Sequence, residues 1–463
     1  MSEGVDIVGL DTPPRLAVDR LLDDPETRIV VCCGAGGVGK TTTAAALGVR
    51  AAGRGRKAVV LTIDPARRLA QSMGIDSLDN TPRKVVGVGA DGGELHAMML
   101  DMKRTFDEIV EAHADGERAR AILANPFYQS LSAGFAGTQE YMAMEKLGQL
   151  RARDDWDLII VDTPPSRSAL DFLDAPKRLG SFLDGKFIRV LMAPAKVGGR
   201  AGMKFLNVGM SMMTGTLSKL MGASLLKDVQ TFVAAMDTMF GGFRTRADAT
   251  FRLLQAPGTA FLVVAAPEAD ALREAAYFVE RLAAESMPLA GLVLNRVHGS
   301  GADQLSAERA LAAAENLEEG GIVDQESGKA GLRDTAAGPT ETAGTTQTAT
   351  ARTATTRTTT ARTATAPTTE TARTAKTANP PETGSPGTEG DTAVVDRITA
   401  GLLRLHAERM QVIAREQRTR DRFTSLHPEV AVAEVAALPG DVHDLAGLRA
   451  IGERLAAGVP AGA

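Results

Sequence analysis

Short, continuous apolar runs alternate with longer helical stretches through the first 300 residues. The runs 28–33, 57–62, 157–161, 260–265 and 290–295 are bounded by charge or glycine. Strands buried on both faces of a parallel sheet read this way. Stretches of ten or more helix-compatible residues separate them, long enough for right-handed crossovers. The pattern therefore predicts an α/β fold with a doubly wound, mostly parallel sheet. Past residue 390, Val395, Ile398, Leu402 and Leu405 are spaced for one helical face. A strand-like run over 430–435 follows. After the turn signal Pro439-Gly440, Leu445, Leu448, Ile451 and Leu455 predict a final helix.

Two segments break the alternation. Residues 187–250 lose every strand signal, and 8 of the 17 methionines lie between Phe187 and Phe240. A helical subdomain inserted into the sheet domain is expected there. Its Met-rich apolar positions fit either packing against itself or a partner, or a groove for an apolar client helix. Residues 324–391 are almost wholly Thr, Ala, Gly and Pro, with twenty threonines between Thr335 and Asn379. Such a composition buries too little surface to offset its ordering entropy, so a disordered insertion is expected. The organisation read from the sequence is an N-terminal extension over 1–24 and a sheet domain over 25–323. The insertion follows over 324–391, and the domain resumes over 392–463.

Composition narrows the function classes. The net charge of −5 gives no surface-wide polyanion site, and no nucleic-acid partner is expected. The two cysteines, Cys32 and Cys33, are adjacent, which suits neither a disulfide scaffold nor a four-cysteine zinc site. No signal-peptide pattern and no apolar run of membrane-spanning length is visible, so a cytoplasmic location is expected.

The sharpest chemical signal is Gly34-Ala35-Gly36-Gly37-Val38-Gly39-Lys40-Thr41, followed by Thr42, between an apolar run and a helical one. Glycines let backbone N–H groups wrap phosphate oxygens at a helix N-terminus. In this arrangement Lys40, expected at an exposed position, reaches the β- and γ-phosphates, and the Thr41 hydroxyl can coordinate Mg²⁺. Asp162 ends the apolar run 158–161, where a carboxylate can hold Mg²⁺ directly or through water. Asp64 ends the run 57–62 and can orient or deprotonate an attacking water.

Together these stretches resemble the arsenite-pump-driving and tail-anchored-protein-targeting ATPase family, part of the wider class of dimeric P-loop ATPases. The resemblance runs through 34–42, Thr62-Ile-Asp-Pro-Ala66, Val161-Asp-Thr-Pro-Pro165, Ala266-Pro-Glu268, Leu294-Asn-Arg-Val297 and Pro439-Gly440. It implies an ATPase in which ATP and Mg²⁺ are held by the loop from Gly34 to Thr42 and by Asp162. Asp64 would position the hydrolytic water, and Asn295 would hydrogen-bond the adenine. It also implies a homodimer, or a heterodimer with a paralogous chain, coupled to a hydrophobic client helix, a membrane transporter or a partner. A binding subunit with little hydrolysis of its own is the alternative. Three features depart from the family pattern. Ala35 stands where the loop usually carries a lysine that reaches the partner's nucleotide. The widely spaced metalloid-binding cysteines and the Cys-x-x-Cys zinc motif are missing too.

Overall fold

Strand β1 (Ile29–Gly34) is buried along its whole length, as its unbroken apolar sequence requires, and it forms the middle of the sheet. In the computed structural model, residues 14–63, 67–89, 92–132, 138–164, 242, 245–319 and 388–457 are described. Compact units are 1–307 with 408–463, and 308–407.

In the first unit, the described strands make one eight-stranded sheet. The others are β2 (Lys57–Thr62), β3 (Arg83–Lys84), β4 (Glu94–Met99), β5 (Leu158–Asp162), β6 (Thr259–Ala265), β7 (Leu289–Val297) and β8 (Val432–Ala436). Their order is β3-β4-β2-β5-β1-β6-β7-β8. Every pairing is parallel except β3 with β4. The chain leaves β1 toward β2 and returns through β5, and β6 then continues the sheet on the other side of β1. This puts the loop after β1 at the point where the strand order reverses, where open α/β sheets bind ligands.

Alternate residues of β1 feed two cores. Ile29, Val31 and Cys33 belong to one, with Ile109 of α4 (Met102–His113), Leu147 of α7 (Thr138–Arg153) and Phe278 of α8 (Ala269–Ala284). Val30 and Cys32 belong to the other, with Ala44 and Leu47 of α2 (Lys40–Gly53) and Leu448 of α11 (Leu445–Ala457). Each fully buried Leu, Ile or Phe contributes about 1.5–3 kcal/mol, so the three-layer arrangement follows from the sequence pattern. Between these elements lie α3 (Arg67–Ser72), α5 (Gly116–Leu123) and α6 (Pro126–Ser132). Asp101 caps α4 by accepting from the backbone N–H of Arg104 at 2.9 Å.

The segment before β1 is built into this unit. Leu16, Val18 and Leu22 are buried, the last two on α1 (Val18–Asp23). Backbone bonds from Leu16 N–H to Val432 and from Val432 N–H to Pro14 cover the outer edge of β8.

The second unit holds most of α9 (Ala307–Glu319) and the first half of α10 (Thr388–Leu426), the second half of which belongs to the first unit. Arg404 pairs with Glu318 at 2.5 Å. The stripe expected from the sequence is helical but faces solvent: Val395, Ile398, Leu402 and Leu405 are 59–64% exposed, while Ala400 and Ala407 are buried. The expected helical subdomain lies almost wholly outside the described residues, apart from 242 and a helical stretch from residue 245. The insertion also lies outside them, apart from the start of α10.

Candidate phosphate-binding site

The loop from Ala35 to Gly39 joins β1 to α2 at the carboxyl edge of the sheet. Gly39 occupies the N-cap of α2 with φ +96°, and a Cβ there would lie 2.3 Å from Nδ2 of Asn295. Only glycine meets both demands without strain. Asn295, from the end of β7, is buried and donates from Nδ2 to the carbonyl oxygen of Val38 at 2.8 Å. The loop is thus tied to a strand two positions away in the sheet.

Lys40 departs from expectation. It is buried, and its Nζ donates to the Ala35 carbonyl at 2.8 Å. The ammonium curls back over the loop, where the Ala35 carbonyl gives it a nearby acceptor. Such an acceptor is neutral, and an anionic phosphate oxygen accepts more strongly.

Beside the loop, Oδ2 of Asp162 accepts from the hydroxyls of Thr41 at 2.7 Å and of Thr62 at 2.9 Å. Parallel pairing causes this convergence, since Thr62 and Cys32 each sit opposite Asp162 in register. The next residue, Thr163, donates through its hydroxyl to the Cys32 carbonyl at 2.9 Å. Burial and the Asp162 carboxylate hold the Cys32 thiol well above its ordinary value, and burial pushes Cys33 up to about 12. Both remain protonated and unreactive at neutral pH.

The donor set around Thr41 suits a small hard cation. A hydroxyl and a carboxylate, both oxygen donors, meet at the helix end where the phosphate loop begins, and Mg²⁺ favours that chemistry. A cavity of about 930 Å³ opens from Gly39, Thr41 and Thr42 past Asn295 and Arg296 to the loop after β8, including Pro439 and His443. Its size fits a nucleotide.

Of the sequence-derived site residues, the loop from Gly34 to Thr42, Asp162 and Asn295 converge at this edge. Asp64 lies outside the described residues, as do Pro165 and the apolar positions after it. Three contributors went unrecognised in the sequence. Thr62 was visible in the motif around Asp64, but its bond to Asp162 depends on register. Gln139 donates to the Ile63 carbonyl at 3.0 Å and holds the exit of β2. The third is the loop after β8, which no local pattern marks as a cavity wall.

A strand, a glycine loop with a lysine and a threonine, and a carboxylate on the neighbouring strand define the P-loop nucleoside triphosphatase fold. A family model described as "Anion-transporting ATPase" matches residues 27–319. The chain belongs to this anion-transporting ATPase family. The ATPase GET3 of Podospora anserina is 26% identical over 299 residues, 63% of this chain and 80% of that protein. The ATPase GET3 of Malassezia globosa is 30% identical over 167 residues, and the ATPase BagA of Mycobacterium tuberculosis 27% identical over 168. These two matches span about half of each relative, 47% and 48%, and 36% and 34% of this chain.

Proposed function

We propose that the chain binds ATP with Mg²⁺ and hydrolyses it to open and close a dimer coupled to a client, a membrane transporter or a partner chain. The observation that carries this reading is the meeting of Lys40, Thr41 and Asp162 at the end of β1, with a nucleotide-sized cavity beside them. Lys40 exchanges the Ala35 carbonyl for phosphate oxygens, and the N–H groups of the loop and of the first turn of α2 donate to the remaining phosphate oxygens. Thr41 and Asp162 hold the cation. When bound, Mg²⁺ supplies neutralisation of the charge on the transferring phosphoryl group. Asp64, following the end of β2, orients the attacking water. Asn295 keeps the loop in register with β7 and presents the rest of its amide to the base. The reading places the protein in the cytoplasm. Among the described residues, no helix is long and apolar enough to cross a membrane.

One observation favours a second reading. Ala35 is an apolar, buried side chain within the loop and supplies no cation. A chain of this kind can serve as the slowly hydrolysing half of a heterodimer with a lysine-bearing paralogue.

ATP turnover by the purified full chain, with Mg²⁺ and with chelator, tests the first reading. Lys40→Ala is expected to lower ATP binding or turnover by orders of magnitude. Unchanged affinity and turnover in this variant would remove the phosphate loop from the reaction.

A further inference from the structure

Arg296 has a backbone conformation that the fold enforces and a side chain that the fold does not use. It is one of three non-glycine residues with positive φ among those described, at +62°. Its position is a bulge: Asn295 pairs with Val435 and Val297 with Ala436, so the β7–β8 register slips across Arg296. Bulges re-aim a side chain and recur beside active sites, and such strain persists only where the surroundings over-determine it.

Here the surroundings are visible on both sides. Asn295 is fixed to the phosphate loop through Val38. His298 is fixed to α10, where Glu416 accepts from its backbone N–H at 3.1 Å and lies 2.6 Å from its ring Nδ1. Arg409 adds a bond to the Gly299 carbonyl at 2.8 Å. Clamped between these anchors, Arg296 is exposed and lines the nucleotide-sized cavity. Among the described residues, its guanidinium has no hydrogen-bond or ion-pair partner. The cavity wall formed by described residues also contains no Phe, Tyr or Trp; its flat side chains are Arg296 and the imidazoles of His298 and His443, and His298 is already held by Glu416.

We infer that Arg296 is a nucleobase-binding residue, its planar guanidinium stacking on the face of the base while the phosphate loop takes the other end of the nucleotide. The inference rests on the nucleotide reading of this cavity. A guanidinium suits the role because it is flat, weakly hydrated and attracted to a π face, whereas a lysine ammonium supplies charge without a plane.

The test compares ADP with inorganic tripolyphosphate, each titrated calorimetrically with Mg²⁺ into the full chain and its variants. Arg296→Ala and Arg296→Lys are both expected to weaken ADP by about tenfold, the order of a partly desolvated cation–π contact. Tripolyphosphate affinity should not change. Unchanged ADP affinity would overturn the inference. So would an equal loss for both ligands, or full retention by Arg296→Lys, since each describes a phosphate contact by charge. Loss of ADP affinity confined to His443→Ala would move the stacking face to the loop after β8. The nucleotide reading is tested separately: Lys40→Ala should lose both ligands, and a wild-type chain that binds neither would end both proposals.

Discussion

Asn295 Nδ2 and the Val38 carbonyl oxygen lie 2.8 Å apart, joining the end of β7 to the middle of the phosphate loop. The bond sits directly over Gly39, where no side chain fits beneath the amide. If the loop moves on binding phosphate as proposed, this bond is the route by which β7 and the cavity wall beyond it are expected to follow.

Asn295→Asp tests this tether. At pH 8 the carboxylate has no proton to donate and faces the Val38 carbonyl instead. Losing a buried bond and leaving its acceptor unsatisfied costs about 1–3 kcal/mol. Thermal unfolding should move down, and ADP affinity should fall with it. A variant with both unchanged would show that the tether does not hold the loop.

Asp162→Asn separates the metal role from the structural one. The amide oxygen can still accept from Thr41 and Thr62, so the sheet edge should keep its arrangement. The negative charge is gone, and with it a hard ligand for a dication. ADP affinity without Mg²⁺ should survive, its enhancement by Mg²⁺ should disappear, and turnover should fall by at least about a hundredfold, as when a charged catalytic group is lost. Undiminished Mg²⁺ dependence would place the cation elsewhere.

The long apolar strands were legible because burial on both faces leaves no polar alternation to confuse the period. β4 was not. In Glu94-Leu-His-Ala-Met-Met99 the polar residues interrupt the run, and this strand lies next to the short edge strand β3. The phosphate loop was legible because its chemistry dictates its spacing. Thr62 and Gln139 were invisible as site residues because their roles arise from register and tertiary packing. The burial of Lys40 was missed for a related reason, since its acceptor is a backbone carbonyl that no side-chain pattern encodes. The stripe from Val395 to Leu405 gave the correct helix, but periodicity alone does not say which apolar face meets solvent.

His96 provides a pH test away from the site. It lies against Trp156 with ring centroids 4.7 Å apart. Burial holds its imidazole below the ordinary value of 6.5; Glu94 opposes that shift, while Lys84 and Lys57 add to it. The unfolded chain therefore binds a proton more readily than the folded one. The stability linked to this group is complete above about pH 6.5 and is lost as pH falls toward the lower folded value. His96→Phe should make thermal unfolding less sensitive to the change from pH 7.5 to 5.5. An identical pH dependence in the two proteins would show that His96 does not contribute.

Ala35→Lys addresses what the loop lacks. Ala35 is 8% exposed and its carbonyl holds Lys40, so a lysine here has to turn its charge out of the core toward the loop's open side. If the proposed dimer places two loops face to face, that charge reaches the partner's phosphates, where a cation supplied in trans can be worth about 10³–10⁵-fold, by analogy with an arginine finger. The unmodified chain alone is then expected to turn over slowly. Ala35→Lys, or mixing with a lysine-bearing paralogue, should raise the rate in a manner that depends on protein concentration. Thermal unfolding of the variant separates a failed fold from a failed idea. Fast turnover by the unmodified chain, unaffected by the substitution in a folded variant, would show that hydrolysis needs no cation from this position.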